Sequence, residues 1–447
     1  MSIKGDSPQK YLIITFGCQM NEHDSEHISG LLEGIGYTPA EDQSDADIIV
    51  VNTCCVRESA ENKVFGLLGR LGRLKKQNPG LILCLGGCMS QQEHMAPRIK
   101  QRFSYIDVVF GTYNTNQLPE LIDRTLNSGK QVIEVWPANG GIVEDIPVKR
   151  RQRVRAWVSI TYGCNNFCTY CIVPHVRGRE RSRTPGDVGG ELETLGREGY
   201  RDVTLLGQNV NSYGRDLGGA VDFADLLHMA DGVAGIERIR FMTSHPRDFC
   251  DKLVEAVVNL PKVCEHIHLP VQAGSNAILQ SMNRGYTREY YLGLVDKIKT
   301  AIPGVALTTD IMVGFPGETE AHFLDTLDLV RQVEYESAFT FVYNPRRGTP
   351  AAGMTDQVSD KVKSARIQEL IELQNTITLQ KNRAEVGRVL ECLVEGTSRT
   401  NRELMGARTR TGKIVVYHGT PEQIGALLTL RVTGYSLTHL EGEVAAG

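Results

Sequence analysis

Three cysteines near the middle of the chain have a spacing that can do chemistry. They stand in Tyr162-Gly163-Cys164-Asn165-Asn166-Phe167-Cys168-Thr169-Tyr170-Cys171, a C-x3-C-x2-C run with an aromatic residue before the last cysteine. Thiolates this close can each hold one iron of a [4Fe-4S] cluster. The fourth iron is then left without a protein ligand, and an open iron can bind a small molecule through an amine and a carboxylate. The alternative is structural zinc. Zinc usually closes four ligands in C-x2-C or C-x2-H pairs, and no partner with that spacing lies nearby.

A second set is scattered over the first ninety residues. Cys18 follows Phe16-Gly17, Cys54 follows Asn52-Thr53, and Cys88 follows Gly86-Gly87. Each falls at the carboxyl end of an apolar run that reads as a parallel strand, the edge where open α/β sheets bind ligands. Three distant cysteines thus converge on one crevice, and a second cluster there also has one open iron. The other reading is three buried core thiols. Cys55 is an ambiguity, although Cys54 matches its counterparts better in position. Cys84 lies within a strand and reads as a core thiol. Cys250, Cys264 and Cys392 have no companions at metal spacing.

The elements that must position these groups follow from periodicity. Short apolar runs at 11–15, 47–51, 81–85 and 106–110 alternate with helical stretches. Continuous apolar strands separated by helices indicate a parallel sheet covered on both faces, an N-terminal doubly wound α/β domain over 1–136. Residues 137–152, with Gly140-Gly141 and two prolines, read as a linker. Six strand–helix units follow over 153–382, with strands at 156–160, 202–206, 238–242, 266–269, 306–310 and 338–342. Six units fit an open partial (β/α)6 barrel better than a closed eightfold one. Over 383–447, short strands at 389–394, 414–417 and 427–432 bounded by Gly, Thr and Asn suggest a small antiparallel barrel of OB type.

Bulk properties narrow the setting. At 447 residues the chain needs two or three cores. The first ten residues carry no apolar signal core, and no stretch approaches the roughly 20 apolar residues of a membrane span. The expectation is a cytoplasmic protein without a membrane partner, in which eleven cysteines argue for metal or catalysis rather than disulfides. A net charge of −4 means that a nucleic-acid partner must be met by a local patch. Two runs qualify. Arg177, Arg179, Arg181 and Arg183 alternate after the cysteine loop, and Arg399, Arg402, Arg408, Arg410 and Lys413 crowd together near the C-terminus. On an OB-like barrel the second run reads as an RNA phosphate contact.

The C-x3-C-x2-C loop resembles that of the radical S-adenosylmethionine (SAM) enzymes. The resemblance puts SAM over the C-terminal edge of the barrel strands, where βα barrels bind ligands. Candidate contacts end successive strands: Gly207, Gln208 and Asn209 after the second, Ser244 and His245 after the third, and Gln272 after the fourth. Asp310, Gly314, Phe315 and Glu318 lie around the fifth. Gly189-Gly190-Glu191 looks like the Gly-Gly-Glu that such enzymes use for the methionyl amine. It opens the helix after the first strand instead of ending the second, so the amine contact is expected at 207–209.

Longer strings resemble one family over nearly the whole chain, the radical SAM methylthiotransferases, in particular the MiaB branch that acts on tRNA. They are Thr15 to Glu22, Gly163 to Pro174, Arg177 to Arg183, Leu205 to Gly214 and His268 to Gln272. Departures are small: Cys55 beside the expected ligand, and Ala273 where the family usually has serine. The resemblance implies two [4Fe-4S] clusters, on Cys164, Cys168 and Cys171 and on Cys18, Cys54 and Cys88. It implies reductive cleavage of SAM at the first, sulfur delivery from the second, and another SAM as methyl donor. The implied C-terminal barrel is a TRAM domain. The implied substrate is tRNA carrying isopentenyladenosine at position 37, methylthiolated at C2, with an electron donor such as flavodoxin or ferredoxin. An aromatic C–H is inert to polar attack, which agrees with a radical route. Two rivals are a sister branch that methylthiolates an aspartate of a small-subunit ribosomal protein, and a non-catalytic two-cluster electron carrier.

Overall fold

The computed structural model describes residues 8–55, 58–137, 147–150, 152–219, 221–398 and 401–445. The expected linker at 137–152 and Arg399 therefore lie largely or wholly outside the described residues. The chain divides into two compact units. One comprises 1–151, 162–165 and 171–181, the other 152–161, 166–170 and 182–447.

The first unit is built on β1 (Lys10–Thr15), β2 (Thr38–Pro39), β3 (Ile48–Thr53), β4 (Ile82–Gly87), β5 (Val108–Phe110) and β6 (Val132–Glu134). They form one parallel sheet in the order β2-β1-β3-β4-β5-β6. The period-2 alternation of strand side chains sorts the apolar runs onto two cores. Ile49, Val51, Leu83, Leu85 and Val109 pack one face, against helices Glu58–Gln77 and Met95–Arg102. Ile48, Val50, Ile82, Cys84 and Val108 pack the other, against Gln19–Gly34 and Leu118–Ser128. Strand order reverses at β1, so the crevice beyond β1 and β3 is the switch point of a doubly wound sheet. β2 and β6 were not expected from the sequence, being only two and three residues long.

The second unit begins with β7 (Arg155–Ser159). The short strands β8 (Thr161–Tyr162) and β9 (Arg181–Ser182) flank the cysteine loop in sequence. Then come β10 (Asp202–Leu206), β11 (Arg238–Phe241), β12 (His266–His268), β13 (Ala306–Val313) and β14 (Ser337–Val342). The sheets β7-β10-β11 and β12-β13-β14 are parallel throughout. Ile239 joins them, its N–H donating to Lys262 O (2.8 Å) and its carbonyl accepting from Cys264 N (2.9 Å). This is the expected partial barrel of six strands. Val203, Leu205, Ile239, Phe241, Leu307, Ile311 and Val313 face the helical layer. Their alternates Arg155, Asp202, Arg238, Arg240, His266, His268, Asp310 and Phe339 take the inner face.

The C-terminal barrel is closed in the order β15-β16-β17-β19-β18, with β15 (Val389–Thr397), β16 (Met405–Thr409), β17 (Ile414–Tyr417), β18 (Leu427–Tyr435) and β19 (Leu440–Val444). All pairs are antiparallel except β17–β19, which closes the barrel in parallel. β16 and β19 escape the apolar pattern because Gly, Arg and Glu dilute them.

The turn between β16 and β17 closes the amino-terminal end of the partial barrel. Arg238 donates to the Arg408 carbonyl. Arg240 donates to Thr409 O (2.8 Å) and Arg410 O (2.7 Å) and pairs with Asp202 at 2.8 Å. Arg408 pairs with Glu395, Arg410 with Glu265 (2.7 Å) and Lys413 with Glu336. The turn fits because Gly412 is left-handed (φ +91°), and a Cβ there would sit 3.0 Å from His266 Nδ1. Gly412→Ala is expected to cost about 1–2 kcal/mol of stability in urea unfolding, from the left-handed backbone and this contact.

Candidate functional site

The cysteine loop runs from Gly163 to Cys171, short enough for the chain itself to keep three sulfurs together. In the first unit, Cys164 N–H donates to Gly178 O at 3.1 Å. In the second, Thr169 N–H donates to Met282 O (3.1 Å) and Thr169 O accepts from Ala351 N (2.9 Å). The Cys168 sulfur accepts from Arg284 Nη1 at 3.5 Å. Arg284 is buried and also donates to Pro270 O at 2.7 Å. Sequence reasoning missed it, since nothing in its local pattern ties it to a cysteine 116 residues away.

The carboxyl ends of β10 and β11 carry the strongest sign of a ligand. Their loops are bonded together: Val210 N–H donates to Thr243 O (3.1 Å), Asn211 Nδ2 to His245 O (2.9 Å), and His245 N–H to Asn211 Oδ1 (2.8 Å). Gln208 Oε1, Asn209 Oδ1, Ser244 Oγ and His245 Nε2 are nonetheless buried without hydrogen-bond partners among the described residues, as is Thr161 Oγ1. Folded proteins seldom leave such groups unmet. Burial, and then the Arg284 charge, pushes the His245 pKa down to about 2. Its Nδ1 accepts from Arg247 N at 3.3 Å, so the neutral ring presents Nε2–H as a donor. These donors and acceptors fit a cofactor that combines an amino acid with a nucleoside. Ser244→Ala is expected to leave stability unchanged while weakening SAM binding about threefold to tenfold, the worth of one hydrogen bond, by calorimetric titration.

Other expected contacts are engaged within the protein. Glu318 Oε1 accepts from Gly314 N (2.9 Å) and Arg366 Nη1 (2.8 Å), and burial pushes its carboxyl pKa up. Phe315 is buried against Tyr343. Gln272 is held on β13 by its backbone, at φ +71°. Asp310 lies 3.5 Å from His268 Nε2. Gly207 directly follows β10. Gly189-Gly190-Glu191 lies inside helix Pro185–Arg197, and Glu191 pairs with Arg183 at 2.5 Å.

The first unit gathers the other cysteines at its switch point. Cys54 and Cys88 are the first residues after β3 and β4, and Cys18 caps helix Gln19–Gly34. Gly17 makes their approach possible: at φ +138°, a Cβ on it would lie 2.8 Å from the Cys54 Cβ and 2.4 Å from Asn21 Oδ1. Cys55 is buried in the same apolar cluster as Cys88, and its thiol beside Cys88 holds the Cys88 pKa below the usual thiol value. Among the described residues no three His, Cys, Asp or Glu side chains gather closely enough for a single metal ion. Three thiols match a cubane that takes one thiolate per iron and leaves one iron open, whereas structural zinc closes four ligands.

The basic runs come out differently from their expected roles. Arg177 is buried, Arg181 lies over Tyr113 at 5.4 Å, and Arg183 donates to Ser159 O at 3.0 Å. Arg408, Arg410 and Lys413 hold the acids named above, which removes them from an open phosphate-binding face. Arg402 is exposed.

Comparison with known proteins agrees with this architecture. Residues 158–330 match the radical SAM superfamily, 10–111 the uncharacterized protein family UPF0004, and 383–445 the TRAM domain. A radical SAM methyltransferase, TsrM from Kitasatospora setae, superimposes with a TM-score of 0.55 at 14% identity over 77% of each chain, a likeness of fold alone. The molecule is thus a radical SAM protein with a sulfur-rich α/β domain before the barrel and a TRAM barrel after it. Curated tRNA-2-methylthio-N(6)-dimethylallyladenosine synthases of Desulforamulus reducens and Pelotomaculum thermopropionicum are each 59% identical to it. They match over 97% of this chain and 95% and 97% of their own. The chain belongs to this family of radical SAM tRNA methylthiotransferases.

Proposed function

We propose that the protein methylthiolates C2 of N6-isopentenyladenosine at position 37 of tRNA. The observation that carries this reading is near-full-length identity of 59% to relatives named for that product. The two cysteine sets and the unsatisfied strand edge support it. The division of labour we propose places the second cluster in 1–136, SAM chemistry in 153–382 and tRNA contact in 383–447, Arg402 included.

Cys164, Cys168 and Cys171 would hold one [4Fe-4S] cluster, and Cys18, Cys54 and Cys88 another. When bound, the first supplies the electron that cleaves SAM and the second supplies sulfur, with a further SAM as methyl donor. Arg284 offsets thiolate charge at Cys168. Gln208, Asn209, Ser244 and His245 orient SAM, with His245 donating from Nε2 and, being neutral, adding no charge. The barrel walls keep water from the reacting centre. Electrons come from a flavodoxin- or ferredoxin-type donor, and the setting is the cytoplasm. No described helix is long and apolar enough to cross a membrane.

Nucleosides from tRNA of a strain lacking this protein test the reading. The methylthio derivative is expected to vanish and isopentenyladenosine to accumulate, with restoration by the gene in trans. An unchanged nucleoside profile would overturn it.

A further inference from the structure

Arg177 makes an unusual set of contacts. Its backbone is fixed by the short helix Val173–Val176, where Arg177 N–H donates to Val173 O (2.8 Å) and Thr112 Oγ1 donates to Val176 O (2.6 Å). Ile172 and Val176 pack in the apolar cluster that contains Cys55, Cys88 and Met89. The side chain then has one direction to take. Its Nε donates to Cys88 Sγ at 3.3 Å, and its Nη2 pairs with Asp24 Oδ2 at 2.5 Å. Arg177 is 6% exposed and Cys88 4%. The Arg177 charge also acts on Cys18.

A neutral thiol is a weak hydrogen-bond acceptor. Committing a desolvated guanidinium to one is poorly repaid, whereas a metal-bound thiolate is a strong partner. Asp24, on helix Gln19–Gly34, fixes the rotation of the guanidinium so that Nε–H faces the sulfur. Groups that hydrogen-bond ligating atoms orient them and tune the metal. Hydrogen bonds to cluster sulfurs and nearby charge set the potential of an iron–sulfur centre.

We propose that Arg177, oriented by Asp24, is a positioning residue of the second iron–sulfur site, holding the Cys88 sulfur toward the cluster and raising the cluster's reduction potential by its fixed charge. The inference rests on reading Cys18, Cys54 and Cys88 as cluster ligands. It gives the first arginine of the 177–183 run a role at sulfur instead of at phosphate. Asp24 is the acceptor that keeps this cation from turning away.

The test uses the full chain with Cys164, Cys168 and Cys171 replaced by Ala, reconstituted with iron and sulfide, so that only the second site is read. About four irons per chain are expected. Redox titration followed by electron paramagnetic resonance then gives the midpoint. Arg177→Met is expected to lower the equilibrium for one-electron reduction about tenfold, ~59 mV, read on protein that carries its full iron. Arg177→Lys, which restores charge without the Nε–H, is expected to recover part of the shift. An unchanged midpoint in Arg177→Met at full iron content overturns the proposal and leaves the contact as packing. If Arg177→Met does not fold or load, Arg177→Lys decides: a midpoint below that of the unsubstituted background supports the role, and an equal one overturns it. Should the background itself bind no iron, the reading of Cys18, Cys54 and Cys88 fails, and this inference with it.

Discussion

Replacing Cys164, Cys168 or Cys171 by Ala is expected to abolish SAM cleavage, while replacing Cys18, Cys54 or Cys88 spares cleavage and removes the thiolated product. The asymmetry follows from placement. The first set lies on the loop between β8 and β9, in the part of the chain that matches the radical SAM superfamily. The second surrounds the switch point of the N-terminal sheet. In either set iron should fall from about eight per chain to about four, as loss of one cubane requires. Deoxyadenosine release, nucleoside analysis and iron content on the same preparations check it. N-terminal variants that keep full iron and product would show that sulfur is not delivered there. Cys54 and Cys55 separate in the same assay. Cys54→Ser should lose the second cluster and Cys55→Ser retain it, because it is Cys54 whose Cβ lies against Gly17, next to Cys18.

The largest effect on stability is expected at Asp202. Its carboxylate is fully buried and lies 2.8 Å from Arg240, itself 5% exposed. Burial raises the carboxyl pKa, but Arg240 and Arg155 outweigh it and hold it below the usual range. Asp202→Ala strands a buried guanidinium and should cost about 3–5 kcal/mol in urea unfolding. Since the folded-state pKa is depressed, the carboxylate's contribution is complete above the ordinary Asp pKa of roughly 3.9 and fades as pH falls through the folded value. Lys252→Ala is the control. Its pairs with Asp222 and Asp225 are about half exposed, and its loss should cost no more than about 1 kcal/mol. Equal losses in the two variants would mean that Asp202 is not the charge balance for Arg240.

Much of the architecture was legible because strand burial leaves a direct trace. Runs such as Ile48 to Val51 and Leu81 to Leu85 are apolar at every position because both sheet faces are covered, and six later runs marked the partial barrel. Short edge strands were not legible: β2 and β6 owe their existence to neighbours rather than composition. The strand-end rule pointed to Gln208, Asn209, Ser244 and His245, whose unsatisfied atoms a sequence cannot reveal. It also pointed to Glu318 and Phe315, which the fold uses for its own support. Charge was the least legible property. A crowd of arginines looks the same on paper whether it faces phosphate or, as with Arg408 and Arg410, acids contributed from over a hundred residues away or from the neighbouring strand. Arg284 and Arg177 lie beside sulfurs for reasons of chain path alone.

The way the β16–β17 turn seats among Arg238, Arg240, Glu265 and Glu336 bears on how this protein can be cut and recombined. A TRAM barrel borrowed from another enzyme would have to bring matching charges, or the host strands would need to change with it. Truncation before residue 383 would uncover the floor of the partial barrel and take from Glu265 and Glu336 their Arg410 and Lys413 partners. Loss of activity in such a truncation would therefore say nothing about RNA. A chimera that carries the turn Arg408 to Lys413 with its native acids, while exchanging the rest of the barrel surface, is the form in which a role of that surface in substrate choice can be tested without dismantling the partial barrel.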